Sequence, residues 1–321
     1  MNNTQSLPRA LLIAGPTASG KSRLALQLAK AYKGSIINAD SMQVYAEMRI
    51  LTARPSKSET DTVPHYLYGH ISATQTYNVA IWVKQAMVAI EEIEAGGRLP
   101  IFVGGTGLYF RALLEGLADI PDIPPAIRAA MRKRLAAEGL ASLYEGLQEI
   151  DPTAHQRLAA NDTQRILRAW EVYQATARPL SDWQKEAQKK PPMPPFTGTT
   201  RRLLLMPDRE WLYARCNQRF VDMLAAGAMA EAQKMAAMRL PADAPPMKAL
   251  GLPALLAVLD GTETLENAQS LAQQQTRNYA KRQMTWFRNQ ILNQKITWKA
   301  FNMKDYYKNQ QKIFSYITKK T

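Results

Sequence analysis

Gly15, Pro16, Thr17, Ala18, Ser19, Gly20, Lys21 and Ser22 fit the spacing G-x-x-x-x-G-K-S/T of a phosphate-binding loop. The two glycines permit backbone conformations that turn successive N–H groups toward one point, and a following helix N-terminus adds positive potential. Lys21 supplies a mobile cation, and a hydroxyl placed like that of Ser22 binds Mg2+ shared with phosphate oxygens. The pattern predicts a di- or triphosphate ligand and leaves open what the phosphates are attached to. Two further candidates stand at the ends of apolar runs: Asp40 after "SIINA" and Thr106 within "GGTG". A nucleotide-hydrolysing machine usually has a second apolar strand ending in Asp or Asp-Glu. Here Asp40 leads into Ser41-Met42-Gln43, and the run 99–105 ends in glycines.

The elements that must hold these residues can be read from hydrophobic patterning. "ALLIA", "SIINA", "LPIFVGG" and "RRLLLMP" are strand-like, and helical spacing separates the early ones, as in "YNVAIWVKQAMVAIEEIEAG". Strands alternating with helices predict an α/β fold, a parallel sheet of the P-loop NTPase-like kind with helices on both faces. In such a sheet ligands bind outside the carboxyl ends of the strands. The loops 15–22, 40–43 and 104–109 therefore converge on one crevice. A carboxylate, a threonine and a phosphate cradle together suit a displacement with a positioned nucleophile, a base and a stabilised leaving group. The proline-rich breaks "IPDIPP" and "KKPPMPPFTG" bracket helical sequence. The expected organisation is a catalytic core over 1–117, an inserted all-helical domain over 118–198, the core resumed over 199–300, and a basic tail over 301–321.

Composition narrows the partners. The chain has 321 residues, 46% of them hydrophobic, enough for a sizeable core. One cysteine, Cys216, excludes a disulfide framework and a cysteine-based zinc site, and fits a reducing cytoplasm. His65, His70 and His155 lack metal-ligand spacing and read as structural or surface residues. The N-terminal "MNNTQSLPRA" has no apolar signal core, and no run approaches membrane-spanning length, so a cytoplasmic protein without a membrane partner is expected. Net charge is +14, and residues 281–321 hold ten Lys/Arg against Asp305 alone. Such a basic region points to a polyanion, nucleic acid before membrane, although a solvated tail has the same composition.

With these residues in hand, "GPTASGKS", "NADSMQVY", "VGGTGLYFRALL", "NDTQRILRAWEVYQAT" and "TRNYAKRQMTWFR" resemble, in order, the motifs of the tRNA dimethylallyltransferases, also called tRNA isopentenyltransferases, of bacterial type. The resemblance spans Leu11 to Arg288. It implies transfer of a dimethylallyl group from dimethylallyl diphosphate to the exocyclic amine of the adenosine 3′-adjacent to the anticodon, with release of diphosphate and use of Mg2+. It makes the loop Gly15–Ser22 a diphosphate cradle with Ser22 on the metal, and Asp40 and Thr106 catalytic. It further implies contacts to the tRNA anticodon stem-loop from Asp40, Ser41, Met42 and Gln43, from Thr106 and Arg128, and from Gln164, Arg165, Ile166, Leu167 and Arg168. In the last motif the implied contacts are Arg277, Lys281 and Arg282. Family members flip the target base into a channel. A monomer is expected, and Arg209 and Arg215 are further candidates for the diphosphate.

The chain departs from the family pattern where Arg49 and Leu51 replace an Asp and a Gly, at Leu252 in place of a tyrosine, and in "PHYLYGHIS", which keeps one histidine of a pair. Other readings of the same residues exist. Asp40 could cap the following segment, Thr106 could be a helix N-cap, and Gln164, Arg165 and Arg168 share a helix face that could simply be solvated. Arg277, Lys281 and Arg288 cluster within about 40° of helix face, opposite Tyr279 and Trp286, which read as core. A small-molecule kinase would consume ATP and use Arg128, Arg132 and Arg134 as a lid. A prenyltransferase of free adenine nucleotides would not need the basic surface. A non-catalytic RNA-binding protein would leave Lys21, Asp40 and Thr106 without purpose.

Overall fold

In the computed structural model, which describes residues 7–189, 196–292, 298–302 and 306–318, six strands form one sheet in the order β3-β2-β4-β1-β5-β6. The strands are β1 (Ala10–Ala14), β2 (Gly34–Asn38), β3 (His65–Tyr66), β4 (Leu99–Gly104), β5 (Thr200–Leu205) and β6 (Lys299–Phe301). Every pairing is parallel. Such a sheet is buried on both faces, which is why β1, β2 and β4 are buried at every position rather than at alternate ones. On one face Leu11, Ile13, Ile36, Ile101 and Leu203 pack with Leu24 and Leu28 of α1 (Lys21–Ala31) and with Ile313 and Ile317 of α13 (Tyr306–Thr318). On the other, Phe102 meets Trp82 of α3 (Val79–Ala95), which in turn stacks on Tyr109 of α4 (Gly107–Glu115). The expected α/β class with helices on both faces is what the chain adopts.

β1 has β4 on one side and β5 on the other, so the order reverses beside it, and the loops after β1, β2 and β4 emerge together. A second core lies around the segment 44–51, which packs with α9 (Arg209–Ala225), α10 (Ala228–Ala237), α11 (Leu252–Leu259) and α12 (Leu265–Phe287). The short α2 (Lys57–Thr62) opens on a capping box between Ser56 and Glu59.

Contacts divide the chain into Met1–Leu113 with Phe196–Thr321, and Leu114–Pro195. The second unit holds α5 (Pro125–Ile150, broken at Gly139), α6 (Pro152–Arg157), α7 (Thr163–Thr176) and α8 (Leu180–Lys189) around Leu143, Leu147, Ile166 and Trp170. Its ends fall a few residues before the expected 118 and 198, because Phe196 N donates to Leu113 O and so closes the core's chain at that point on both sides of the insertion. The expected basic tail needs correcting. Phe301, Ile313 and Ile317 are buried in the sheet's core, because β6 extends the sheet beyond β5 and α13 turns an apolar face onto it. The basic residues Lys304, Lys319 and Lys320 lie outside the described residues.

Candidate active site

The loop after β1 is shaped by close approach and by chirality. A Cβ on Gly15 would lie 3.0 Å from the Leu205 carbonyl oxygen, so β5 forms the back of the loop. Gly20, at φ 89°, is left-handed and starts α1, a conformation that L side chains resist. The first α1 residues are Lys21 and Ser22, so a cation, a hydroxyl and the N–H groups of a helix start meet at one point. The Ser19 hydroxyl is buried without a hydrogen-bond partner and lines the cavity there, a donor suited to an oxygen-rich anion. Burial pushes the Lys21 ammonium down to about 8, an effect that Asp40 opposes and Arg219 reinforces.

This loop lines a cavity of about 220 Å³, polar in character, that extends to Arg54, His65 and Tyr68. A second cavity of about 290 Å³ is more apolar, with Met42, Leu51, Phe220 and Met223 in its walls, and reaches Tyr279 and Arg282 on α12. Thr17, Asp40, Thr52 and Arg219 line both. Asp40 therefore stands where a polar and a more apolar cavity meet. Its Oδ1 accepts the Met42 N–H at 3.0 Å, and Asn38 anchors the turn, its Oδ1 accepting the Asp40 N–H at 2.8 Å. Thr106 Oγ1 accepts the Ser41 N–H at 3.0 Å, which ties the loop after β4 to the loop after β2.

Two groups that sequence reasoning missed, Arg219 and Gln283, organise this junction. Arg219 Nη1 donates to the Thr17 hydroxyl at 3.2 Å, and burial lowers its pKa against the opposing charge of Asp40. One turn earlier, Arg215 Nε donates to the Ala18 carbonyl at 2.9 Å. Arg209 instead reaches the Tyr213 hydroxyl and lines neither cavity. The i, i+4 pair of arginines on an otherwise amphipathic helix was the available signal. Gln283, buried on α12, accepts the Thr17 N–H at 2.8 Å and donates to the Gly105 carbonyl at 2.9 Å, so one amide bridges the loops after β1 and β4. Its signal was a polar residue on α12's buried stripe Ala268, Ala272, Thr276, Ala280, Met284, Phe287.

The chain matches two family models, "IPP transferase" over residues 43–290 and "Isopentenyl transferase" over residues 8–74. The chain belongs to the IPP transferase family. It is 47% identical over 291 residues to a tRNA dimethylallyltransferase of Rhizobium etli, covering 91% of this chain and 97% of that protein. To the enzyme of that name from Parvibaculum lavamentivorans it is 49% identical over 314 residues, covering 98% and 97%. Among solved structures, the full-length tRNA isopentenylpyrophosphate transferase of Bacillus halodurans is similar with a TM-score of 0.66 at 33% identity, covering 96% of this chain and 95% of that one. A eukaryotic dimethylallyltransferase described as acting on tRNA gives a TM-score of 0.79 at 26% identity, covering 95% of this chain and 77% of that one.

The remaining residues expected from sequence fall as follows. Gln43 lines the first cavity, Met42 and Ser41 the second. Lys281 and Arg282 are exposed on α12, while Arg277 Nη1 donates to Asn217 Oδ1 at 2.6 Å. In the helical unit Gln164 and Arg165 are exposed and Arg128 and Arg168 half-buried, with the Arg128 charge close enough to be felt at Arg168. Ile166, expected to contact RNA, is fully buried, because α7's apolar stripe of Ile166, Ala169 and Trp170 builds the unit's core, so its side chain serves that core. Leu167 packs on that core too. Tyr279 and Trp286, expected in the core, lie beside α12's buried stripe. Tyr279 lines the second cavity, and desolvation beside Asp40 raises its hydroxyl pKa. Trp286 is half-buried over Gly107 and lines an open groove with Lys281 and Arg282.

Proposed function

We propose that this chain transfers a dimethylallyl group from dimethylallyl diphosphate to the exocyclic amine of the adenosine 3′-adjacent to the anticodon of tRNA, releasing diphosphate. The single observation that carries the residue roles is the place of Asp40, at the junction of a phosphate-loop cavity and an apolar cavity that reaches the basic helix α12. The first cavity takes the diphosphate and the second the acceptor base. The family membership and the tRNA dimethylallyltransferase relatives support the reaction itself.

The chemistry follows from what each group can do. The adenine amine is a weak nucleophile because its lone pair is delocalised into the ring. Its nitrogen attacks the allylic carbon, the carbon–oxygen bond breaks, and the electron pair leaves with the diphosphate. Asp40 accepts a hydrogen bond from the amine, orients it, and takes the proton that nitrogen loses. Lys21, the loop N–H groups and Arg219 stabilise the charge that grows on the leaving oxygen. Thr106 holds the Asp40–Gln43 loop through Ser41.

Mg2+ is part of this proposal. Ser22 offers one hydroxyl at the start of α1, and no group of three or more acidic, His or Cys side chains that could hold a metal exists among the described residues. That donor set fits a Mg2+ carried mainly by substrate oxygens and water, where it would neutralise leaving-group charge. No helix among the described residues is long and apolar enough to cross a membrane, and we place the reaction in the cytoplasm. Incubation with radiolabelled dimethylallyl diphosphate and either unmodified tRNA or AMP tests the proposal. Label in tRNA alone is the expected result. Label in AMP alone, or ATP hydrolysis without prenyl transfer, would overturn it.

A further inference from the structure

Between β2 and α2 the chain has no regular helix or strand, yet Val44, Tyr45, Met48 and Leu51 are buried. Irregular backbone in a core needs acceptors for its N–H groups. Here one side chain supplies three. Glu231, on α10 and only 8% exposed, accepts the N–H of Arg49 at 2.6 Å and of Ile50 at 2.8 Å through Oε1, and that of Leu51 at 2.7 Å through Oε2. Successive N–H groups converging on an anion form a backbone nest, and charge-assisted bonds of this length are strong. From the other side Gln43 Nε2 donates to the carbonyls of Thr52, at 2.8 Å, and Ala53, at 3.0 Å. The segment so gripped is the wall the two cavities share. Leu51 faces the second, Ala53 and Arg54 the first, and Thr52 both, whereas Glu231 lines neither.

We infer that Glu231 is a positioning residue for the transfer: by fixing the backbone of Arg49–Leu51 it sets the wall at which donor and acceptor meet. The inference rests on the assignment of the two cavities to those substrates. It also explains how Arg49 and Leu51 can differ from the family pattern. Their backbone N–H groups, not their side chains, are what the clasp holds. Reacting groups misplaced by about 1 Å lose about 100-fold in rate, so a loosened wall should be felt in turnover before it is felt in binding.

Glu231→Gln keeps the volume but replaces one accepting oxygen by a donor, so at least one of the three N–H groups loses its partner. Three quantities are measured well below each variant's melting temperature: single-turnover transfer at saturating dimethylallyl diphosphate and anticodon stem-loop RNA, KM for the RNA, and amide exchange at residues 49–51. The expected result for Glu231→Gln is a saturated rate about 10- to 100-fold lower, a KM within about threefold of wild type, and faster exchange at those amides. Glu231→Asp, which keeps the charge but is shorter, should fall between Glu231→Gln and wild type. A folded Glu231→Gln protein with a saturated rate within about threefold of wild type overturns the inference, even if its melting temperature is lower. Should Glu231→Gln not fold, Glu231→Asp decides: wild-type turnover despite faster exchange at 49–51 overturns it equally. A wrong cavity assignment would show elsewhere, as Lys21→Ala binding dimethylallyl thiodiphosphate as tightly as wild type does.

Discussion

The Thr106 hydroxyl accepts the Ser41 N–H at 3.0 Å and donates to the Ser41 hydroxyl at 3.3 Å, so the loops after β4 and β2 are joined through two adjacent contacts. Thr106→Val keeps the shape and removes both. The Ser41 N–H then lacks its acceptor, which costs about 1–3 kcal/mol where water cannot replace it. Thermal unfolding should register that loss, and single-turnover transfer should slow, because the turn that carries Asp40 is freed. A variant with unchanged stability and unchanged rate would show that the contact organises nothing.

Asp40→Asn retains an oxygen for the Met42 N–H and loses the negative charge. Transfer at saturating RNA should fall by about 10²–10⁴, the range of a lost general base, while RNA affinity changes little. Weaker RNA binding with normal saturated turnover would make Asp40 an anchor instead.

Lys21 titrates at about 8, below the 10.5 of a free lysine, because burial disfavours its charge. In the ligand-free protein the unfolded chain holds this proton more tightly than the folded one. Unfolding therefore takes up a proton between about 8 and 10.5, and stability rises with pH through that window. Donor binding responds in the opposite sense, since the diphosphate needs the cation. The kcat/KM for dimethylallyl diphosphate should fall as pH rises through about 8, and Lys21→Arg should lose that limb. A profile of the same shape in both proteins would assign the limb to another group.

A Cβ on Gly105 would lie 2.3 Å from Gln283 Nε2. Gly105→Ala should displace the Gln283 amide from both loops and destabilise the fold by about 1–3 kcal/mol, as overpacking does. Gln283→Ala should also destabilise, by leaving the Thr17 N–H and a cavity. Together the two changes should cost less than the sum of the separate ones, since the second removes the clash created by the first. Strict additivity in a double-mutant cycle would mean that the two residues do not press on one another in solution.

Lys281 is exposed on α12 beside Trp286 and Arg282. If it meets an RNA phosphate, Lys281→Ala should reduce the slope of log affinity against log salt by about 0.7–0.9. Affinity for the prenyl diphosphate should keep its salt response. Titrations with an anticodon stem-loop at several salt concentrations decide this, and an unaltered slope removes Lys281 from the RNA surface.

Much of the core was legible because it follows from local pattern. The Gly15–Ser22 spacing, the apolar runs of β1, β2 and β4, and the rule that ligands sit at strand carboxyl ends together placed Lys21 and Asp40 in one crevice. Arg219 and Gln283 were not legible in that way. Each acts across some 200 residues or more of chain, on Thr17, and periodicity carries no information about such partners. The burial of Ile166 was not legible because a motif match names a stretch, whereas helical geometry turns only part of that stretch outward. The C-terminal segment was misread for the opposite reason: its lysines dominate composition, while the few apolar residues that dock it, Phe301, Ile313 and Ile317, are diluted among them.

The carbonyl of Leu205 behind Gly15 has a consequence for how the molecule is made. A ribosome delivers the phosphate-binding loop well before β5, so β1 must wait for that neighbour, from Thr200 to Leu205, and for β6 beyond it. Everything in Leu114–Pro195 emerges in between, as one uninterrupted stretch. Until β5 arrives, β1 is a hydrophobic strand paired on the β4 side only, with an open edge of the kind that recruits foreign strands. The Gly15–Ser22 loop is thus translated before the strand that forms its back wall, and the two are brought together only after the whole of 114–195 has emerged.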